Sequence, residues 1–348
     1  MIGEKREKFW EDRRVFVTGA NGFLGSWLTE KLVEKKAKVV ALIRDQLPYS
    51  KFNTSGIVSK VTVVNGRLED YELIERVLNE YEIDTCFHLG AQTLVETAVR
   101  APLSTFESNI KGIWNILEAV RKIDTVKRLV LASSDKAYGS SNKLPYSEDD
   151  CLRGLHPYDV SKTCADLIAQ AYYNTYGLPV VITRCGNIYG GGDLNFSRII
   201  PGTIKSAVFD EAPVLRSDGT YLRDYIYVKD VVDAYMTLAE NIEWKKVKGQ
   251  AFNIGTETPI SVLELVNKIL TLCGKKYLKP VIKNEAVHEI KRQYLSCEKI
   301  RNILGWKYKY DLDKGLRETI KWYYDFFNRI QYYTMKKEAY NKRLQWER

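Results

Sequence analysis

The sequence predicts an α/β fold: a doubly wound parallel sheet followed by a smaller C-terminal lobe. Three observations predict it. Short apolar runs alternate with helical patterns from Arg14 to Arg184, the rhythm of βαβ units. The first of these runs opens directly into a glycine turn and then a helix. After Gly186 the alternation stops, and Gly190-Gly191-Gly192, Pro201 and Pro213 break the chain into shorter pieces. The sheet domain is expected over 1–185 and the lobe mainly over 186–330, with chain allowed to cross back to the sheet. A helical tail is expected over 331–348.

Arg14-Val15-Phe16-Val17-Thr18 reads as a buried strand. Gly19-Ala20-Asn21-Gly22-Phe23-Leu24-Gly25 follows at once, and 26–34 reads as a helix with Leu28, Leu32 and Val33 on one face. Strand, glycine turn and helix are what a dinucleotide pyrophosphate requires. Glycines let the backbone approach it, and the helix N-terminus faces its charge. The domain is therefore expected to be Rossmann-like.

The second strand, 38–43, ends in Arg44-Asp45. An acidic residue at that end would bond the adenosine ribose of NAD, whereas Arg44 could pair with the 2′-phosphate of NADP. A solvated loop arginine is the plain alternative. A third strand, 61–64, precedes Gly66-Arg67-Leu68, and a fourth, 85–89, leads to Gly90-Ala91-Gln92. His88 lies inside that apolar strand and reads as a core histidine rather than a ligand. Residues 105–120 read as one long helix carrying Asn109. The fifth strand, 128–132, delivers Ser133 and Ser134 to its carboxyl end, the edge where open α/β sheets bind ligands.

Tyr158 and Lys162 stand four apart in Tyr158-Asp159-Val160-Ser161-Lys162, one turn apart on one helix face. A lysine cation beside a phenol favours the phenolate, so the pair can act as a base near neutral pH. Ser134 could bond the same substrate hydroxyl. The spacing alone fits any amphipathic helix, and the dinucleotide turn upstream gives it weight. A sixth strand covers 179–184. Beyond it, Asn187, Arg198, Arg223 and Arg292 are candidates for a diphosphate, because arginine forks match phosphate oxygens. A lone arginine is more often a surface ion pair. Residues 252–255 read as a short strand and turn, 261–273 as a helix capped by Ser261, and 322–346 as a tyrosine- and lysine-rich helix.

Composition narrows the classes. A chain of 348 residues with 45% apolar residues can bury a large core. The net charge of +9 is scattered, with no basic run at a nucleic-acid motif. The six cysteines show no metal-ligand spacing and read as reduced thiols of a cytoplasmic protein, with no metal expected. No apolar run is long enough for a membrane span, and 1–14 hold no apolar signal core.

Taken together, Thr18-Gly19-Ala20-Asn21-Gly22-Phe23-Leu24-Gly25, Ser134, Tyr158 and Lys162 resemble the extended short-chain dehydrogenase/reductases, within their NAD-dependent epimerase/dehydratase family, over about 9–306. Within it the CDP-glucose 4,6-dehydratases are the most similar subgroup. The stretches that carry this are Phe9-Trp10, Phe87-His88-Leu89-Gly90-Ala91-Gln92, Ser134-Asp135-Lys136-Ala137-Tyr138, and Arg184-Cys185-Gly186-Asn187-Ile188-Tyr189-Gly190 with Arg198-Ile199-Ile200-Pro201.

The resemblance implies a nucleotide-diphosphate sugar as substrate and tightly bound NAD, with NADP admitted by Arg44. It implies Ser134, Tyr158 and Lys162 as a redox triad, and Asp135 and Lys136 as the acid and base of dehydration. Gly19, Asn21, Gly22, Phe23, Leu24, Gly25, Arg44, Leu68, Leu89, Ala91 and Asn109, with Tyr158 and Lys162, would hold the cofactor. Gln92, Asn187, Arg198, Arg223 and Arg292 would hold the substrate. A homodimer through the helices carrying Asn109 and Tyr158 is expected. Arg223-Asp224-Tyr225-Ile226-Tyr227 is more similar to the epimerases and dTDP-glucose dehydratases, and Arg67 replaces an aspartate usual in the family. A 4-epimerase on the same scaffold is the alternative activity, and a non-catalytic dinucleotide-binding protein is the alternative class.

Overall fold

The computed structural model describes residues 8–285 and 290–346, with 331–346 as backbone alone. The charged start ahead of residue 8 and the last two positions of the expected tail, 347–348, lie outside the described residues. The chain divides into two compact units. One comprises Met1–Ile188, Tyr221–Ile260 and Val287–Lys309, and the other Tyr189–Thr220, Ser261–Ala286 and Tyr310–Arg348.

The first unit is built from β1 (Arg14–Thr18), α1 (Phe23–Glu34), β2 (Lys38–Ile43), β3 (Thr62–Asn65), α2 (Tyr71–Glu80), β4 (Thr85–His88), α3 (Gly112–Lys122), β5 (Arg128–Ala132), α4 (Pro157–Tyr176), β6 (Val180–Cys185), α5 (Val228–Glu240) and β7 (Ala251–Ile254). Its seven strands lie in the order β7-β6-β5-β4-β1-β2-β3, every pair parallel. The order reverses at β1, which lies between β2 and β4, so ligands are expected beyond its carboxyl end. The short strand expected at 252–255 is β7, the sheet edge, with Ala251 beside Ile182 of β6.

Alternation explains why these strands are apolar throughout. Val15, Val17, Val39, Ala41, Phe87, Val130 and Val181 join one core with Leu28 and Leu32 of α1 and Val231 and Tyr235 of α5. Phe16, Val40, Leu42, Cys86, Leu129, Leu131 and Ile182 join the other with Ile74 of α2, Ile116 and Leu117 of α3 and Ala165 of α4. Both faces are covered, as a parallel sheet requires. Each large side chain fully buried in this way contributes about 1.5–3 kcal/mol.

Two boundaries differ from expectation. Helix α1 starts at Phe23 rather than at 26, because the glycine turn itself supplies its first turn. The single helix expected over 105–120 is three segments: Pro102–Phe106, a π turn at Glu107–Lys111, and α3. The π turn buries Asn109. Its amide makes three hydrogen bonds that an unbroken α phase would forfeit.

The second unit holds the helices Ile199–Val208, Val262–Leu272 and Leu312–Trp346, with Val214–Leu215 paired parallel to Val281–Ile282. Ser261 caps its helix as expected, in a capping box with Glu264. Phe196, Tyr323 and Phe327 form an aromatic cluster, and Tyr323 Oη donates to Asp193 O at 2.5 Å. No described helix is long and apolar enough to cross a membrane.

One buried ion pair ties α4 to the sheet. Arg184 on β6 donates through Nε to Asp166 Oδ2 at 2.8 Å and through Nη2 to Oδ1 at 2.9 Å. The two side chains are 3% and 0% exposed. Arg184 Nη1 also donates to Tyr138 Oη at 2.8 Å, and Tyr138 Oη donates to Asn253 Oδ1 at 2.7 Å. Asp166→Asn leaves the guanidinium buried without its countercharge. It should destabilise the protein by about 3–5 kcal/mol, read as a fall in the urea midpoint. An unchanged midpoint would refute this role for the pair.

Candidate active site

The site begins at the carboxyl end of β1. Gly19 takes φ +69°, a left-handed conformation that favours glycine. A Cβ on Gly25 would stand 2.0 Å from Gly19 O, so only glycine lets α1 close on the turn. Gly22 is the N-cap of α1 and carries no side-chain cap. The first-turn N–H groups around Phe23 and Leu24 lack intrahelical acceptors and present the positive end of the helix dipole. Asn21 Nδ2 donates to Asp45 O at 2.7 Å, fixing the turn to the end of β2. Arg44 is exposed there and donates through Nε to Asp45 Oδ2 at 2.6 Å.

Thr18 fastens the neighbouring loop. Its Oγ1 accepts from Leu89 N at 3.1 Å and Gly90 N at 3.0 Å, and lies 2.9 Å from His88 Nδ1. With two donors already on the oxygen, the hydroxyl hydrogen goes to Nδ1, so His88 is neutral with its proton on Nε2. Burial, reinforced by the Lys162 charge, pushes the His88 pKa down to about 3. It is the core histidine the strand pattern indicates. A Cβ on Gly90 would touch Leu68 Cδ1 at 3.0 Å and Gly19 N at 3.3 Å, so Gly19, Leu68 and Leu89 converge here, with Ala91 next along the loop.

Asn109 is fully occupied by the protein. Its Oδ1 accepts from Gln92 N at 2.7 Å, and its Nδ2 donates to Gln92 O and to Ser161 Oγ, each at 2.9 Å. Ser161 Oγ donates to Tyr158 O at 2.7 Å. The π turn thus braces the first turns of α4, where Tyr158 and Lys162 stand. Lys162 is buried and donates from Nζ to Ala132 O at 2.8 Å. Burial lowers its pKa to about 8, against the pull of Cys185 and Asp166.

Ser134, Asp135 and Lys136 fall at the carboxyl end of β5. Ser134 caps the short turn Asp135–Tyr138, its Oγ accepting from Lys136 N at 3.2 Å and donating to Asp135 Oδ1 at 3.2 Å. Lys136 Nζ donates to Gln293 Oε1, and Gln293 Nε2 donates to Asp135 O at 2.9 Å. Arg223 lies in the strand Leu222–Arg223, paired parallel to Arg292–Gln293. Its Nη1 donates to Leu222 O at 2.9 Å and Lys291 O at 3.2 Å, and Arg292 beside it is exposed.

Asp224, next to Arg223 along the chain, is buried. Its carboxylate accepts from Thr256 N and Glu257 N, and burial raises its pKa against those bonds. Asn187 N donates to Asp224 O at 2.9 Å. Arg198 belongs to the second unit, where it pairs with Asp193 at 2.9 Å.

The first unit thus places a hydroxyl, a carboxyl and an amine at the end of β5, and a phenol and a buried ammonium in the first turns of α4, where the ammonium bonds the last carbonyl of β5. That set can remove a proton from an alcohol and move protons at adjacent carbons. Three contributors escape sequence reading. Thr18 is hidden as an ordinary strand residue, Ser161 as the helix residue before Lys162, and Gln293 as the neighbour of Arg292. Only the position of Ser161 inside the Tyr158–Lys162 interval offered a signal.

The family described as GDP-mannose 4,6 dehydratase matches residues 16–319. The CDP-glucose 4,6-dehydratase of Salmonella typhimurium is 30% identical over 332 residues, covering 91% of this chain and 92% of the relative. A putative UDP-glucose 4-epimerase of Methanocaldococcus jannaschii is 31% identical, covering 88% and 97%. The structure of dTDP-glucose 4,6-dehydratase from Bacillus anthracis in complex with NAD superposes with a TM-score of 0.79 at 29% identity, covering 90% of this chain and 97% of that one. With its parallel sheet, glycine turn and Tyr158–Lys162 pair, the chain belongs to this family and is an enzyme of the NAD-dependent nucleotide-sugar dehydratase and epimerase group of the extended short-chain dehydrogenase/reductases.

Proposed function

We propose that this enzyme is a nucleotide-diphosphate-sugar 4,6-dehydratase that converts CDP-glucose, or a sugar nucleotide close to it, to the 4-keto-6-deoxy sugar. The observation that carries the reading is the Asp135-Lys136 pair, held in the turn that Ser134 caps. A 4-epimerase needs only the hydroxyl, phenol and ammonium of Ser134, Tyr158 and Lys162. A dehydratase needs an acid and a base besides. The epimerase remains the second reading because of the Methanocaldococcus jannaschii relative.

The residues fit a dinucleotide. The uncapped start of α1 and the backbone at Gly19, Asn21, Gly22, Phe23, Leu24 and Gly25 suit a pyrophosphate. Leu68, Leu89 and Ala91 supply apolar walls, and Asn109 acts through Gln92 and Ser161. These residues would hold the dinucleotide, which when bound would supply hydride exchange with sugar C4 and C6.

Tyr158 removes the proton of the C4 hydroxyl, with Lys162 lending positive charge to the phenolate and Ser134 Oγ bonding the sugar oxygen. The resulting 4-ketone acidifies the C5 hydrogen. Lys136, as the free amine, takes that proton while Asp135 gives one to the C6 hydroxyl, which leaves as water and creates a C5–C6 double bond. After C6 is reduced, Lys136 gives C5 a proton from its ammonium, whose hydrogens exchange with water, and the proton held by Tyr158 returns to Asp135 through solvent. Arg223, Arg292, Asn187 and Gln92 are the proposed contacts for the sugar nucleotide.

We infer NAD rather than NADP as the resident cofactor. Arg44 is already neutralised by Asp45, which leaves no net positive charge at the end of β2 for a 2′-phosphate. Denaturing the purified protein and separating the released dinucleotide should give NAD. Recovery of NADP alone would reverse the assignment.

Tyr158→Phe keeps the ring and removes the base. Turnover should fall by about 10²–10⁴-fold with dinucleotide binding retained. Turnover near the parent's would end the mechanism.

Deuterated water separates the two activities. A dehydratase should yield a product lighter by one water with solvent deuterium at C5, since only dehydration breaks the C5–H bond. A C4 isomer of unchanged mass, carrying no deuterium, would make the epimerase reading the better one.

A further inference from the structure

Behind the Asp135-Lys136 pair stands one side chain with contacts to both residues. Gln293 is fully buried. Its Oε1 accepts from Lys136 Nζ, and its Nε2 donates to Asp135 O at 2.9 Å. A buried glutamine that satisfies its amide in this way has no freedom to turn, because flipping it would set donor against donor and acceptor against acceptor.

The segment that carries Gln293 is fixed from both sides. Arg292–Gln293 pairs with Leu222–Arg223, Tyr146 N donates to Tyr294 O at 3.1 Å, and Ser296 N donates to Tyr146 O at 2.8 Å. Tyr146 Oη in turn donates to Gly139 O at 2.6 Å, just past the turn that bears Asp135 and Lys136.

Charge makes the choice of an amide informative. Asp159, buried on α4, has its pKa raised by burial, with the charges of Lys136 and His156 opposing that rise. A carboxylate at 293 would hold the ammonium as an ion pair. The glutamine oxygen takes the same hydrogen bond without adding charge. Lys162 Nζ donates instead to Ala132 O, and the main-chain carbonyl of Tyr158 accepts from Ser161 Oγ.

We propose that Gln293 is a positioning residue for the water-losing half of the reaction. It fixes the Lys136 amine and the Asp135 backbone so that proton transfer at C5 and C6 proceeds, and it leaves oxidation at C4 to Tyr158. This role rests on the dehydratase reading.

The test uses the full-length enzyme with its bound dinucleotide, CDP-glucose as substrate, and two variants. Gln293→Met fills the space without hydrogen bonds. Gln293→Glu keeps an acceptor but adds charge and removes the donor to Asp135 O, and it carries the test alone if the methionine variant does not fold. In both, kcat for water loss should fall about 10–100-fold with KM within about threefold of the parent. Reduction of the bound dinucleotide on adding substrate should keep the parent's rate, so the reduced form accumulates and its absorbance persists.

A parent-like kcat in either variant overturns the role. So does an equal slowing of both halves without accumulation, which marks Gln293 as scaffold alone. The parent enzyme separates this failure from that of the underlying reading. A parent that loses water beside variants without accumulation sinks only the role of Gln293. A parent that returns a C4 isomer of unchanged mass sinks both.

Discussion

The arrangement depends first on a buried cation. Arg184 sits inside the sheet domain with four hydrogen bonds from its guanidinium: two to Asp166, one to Tyr138 and one to Glu148 O. Asp166 lies on the helix that carries Tyr158 and Lys162, and Tyr138 ends the turn that carries Asp135 and Lys136. One side chain therefore sets the base-bearing helix and the acid-base turn against the same strand. Such a fork tolerates little drift, because displacement strands a charge in an apolar surrounding.

Around that anchor the site is assembled from strand ends, each with its own lock. Thr18 holds the loop after β4 by accepting two backbone hydrogens and giving its own to a neutral histidine. Lys162 reaches from α4 to the last carbonyl of β5. These contacts place polar groups along the carboxyl edge of the sheet, while its interior stays apolar. The division of labour follows from the parallel sheet, which buries both faces and leaves its carboxyl edge for chemistry.

Much of this was legible in the sequence. The first six strands are written in apolar runs, and the glycine turn, the Tyr158–Lys162 interval and Ser134 mark the site by local spacing. What stayed hidden depends on partners far along the chain. Gln293 reaches Asp135 across 158 positions, and Asn253 meets Tyr138 across 115. No local pattern announces either. The π turn was invisible for another reason: an α-helix and a π turn draw on the same residue types, and the difference arises only when Asn109 finds Gln92 and Ser161. The exposed Arg44 could be read as a 2′-phosphate clamp or as a solvated loop arginine, because the sequence does not show its ion pair with Asp45.

The π turn also separates the site from the core. It lets one turn hold an extra residue, so that Pro102–Phe106 and α3 keep their faces on either side of it. Deleting one residue within the turn would restore ordinary α spacing and leave the stripe of Ile113, Ile116, Leu117 and Val120 in the core it now fills. What it would remove is the bulge that presents Asn109 to Gln92 and Ser161. A single deletion would thus reach the chemistry without first disturbing the fold, and the extra residue belongs to the site alone.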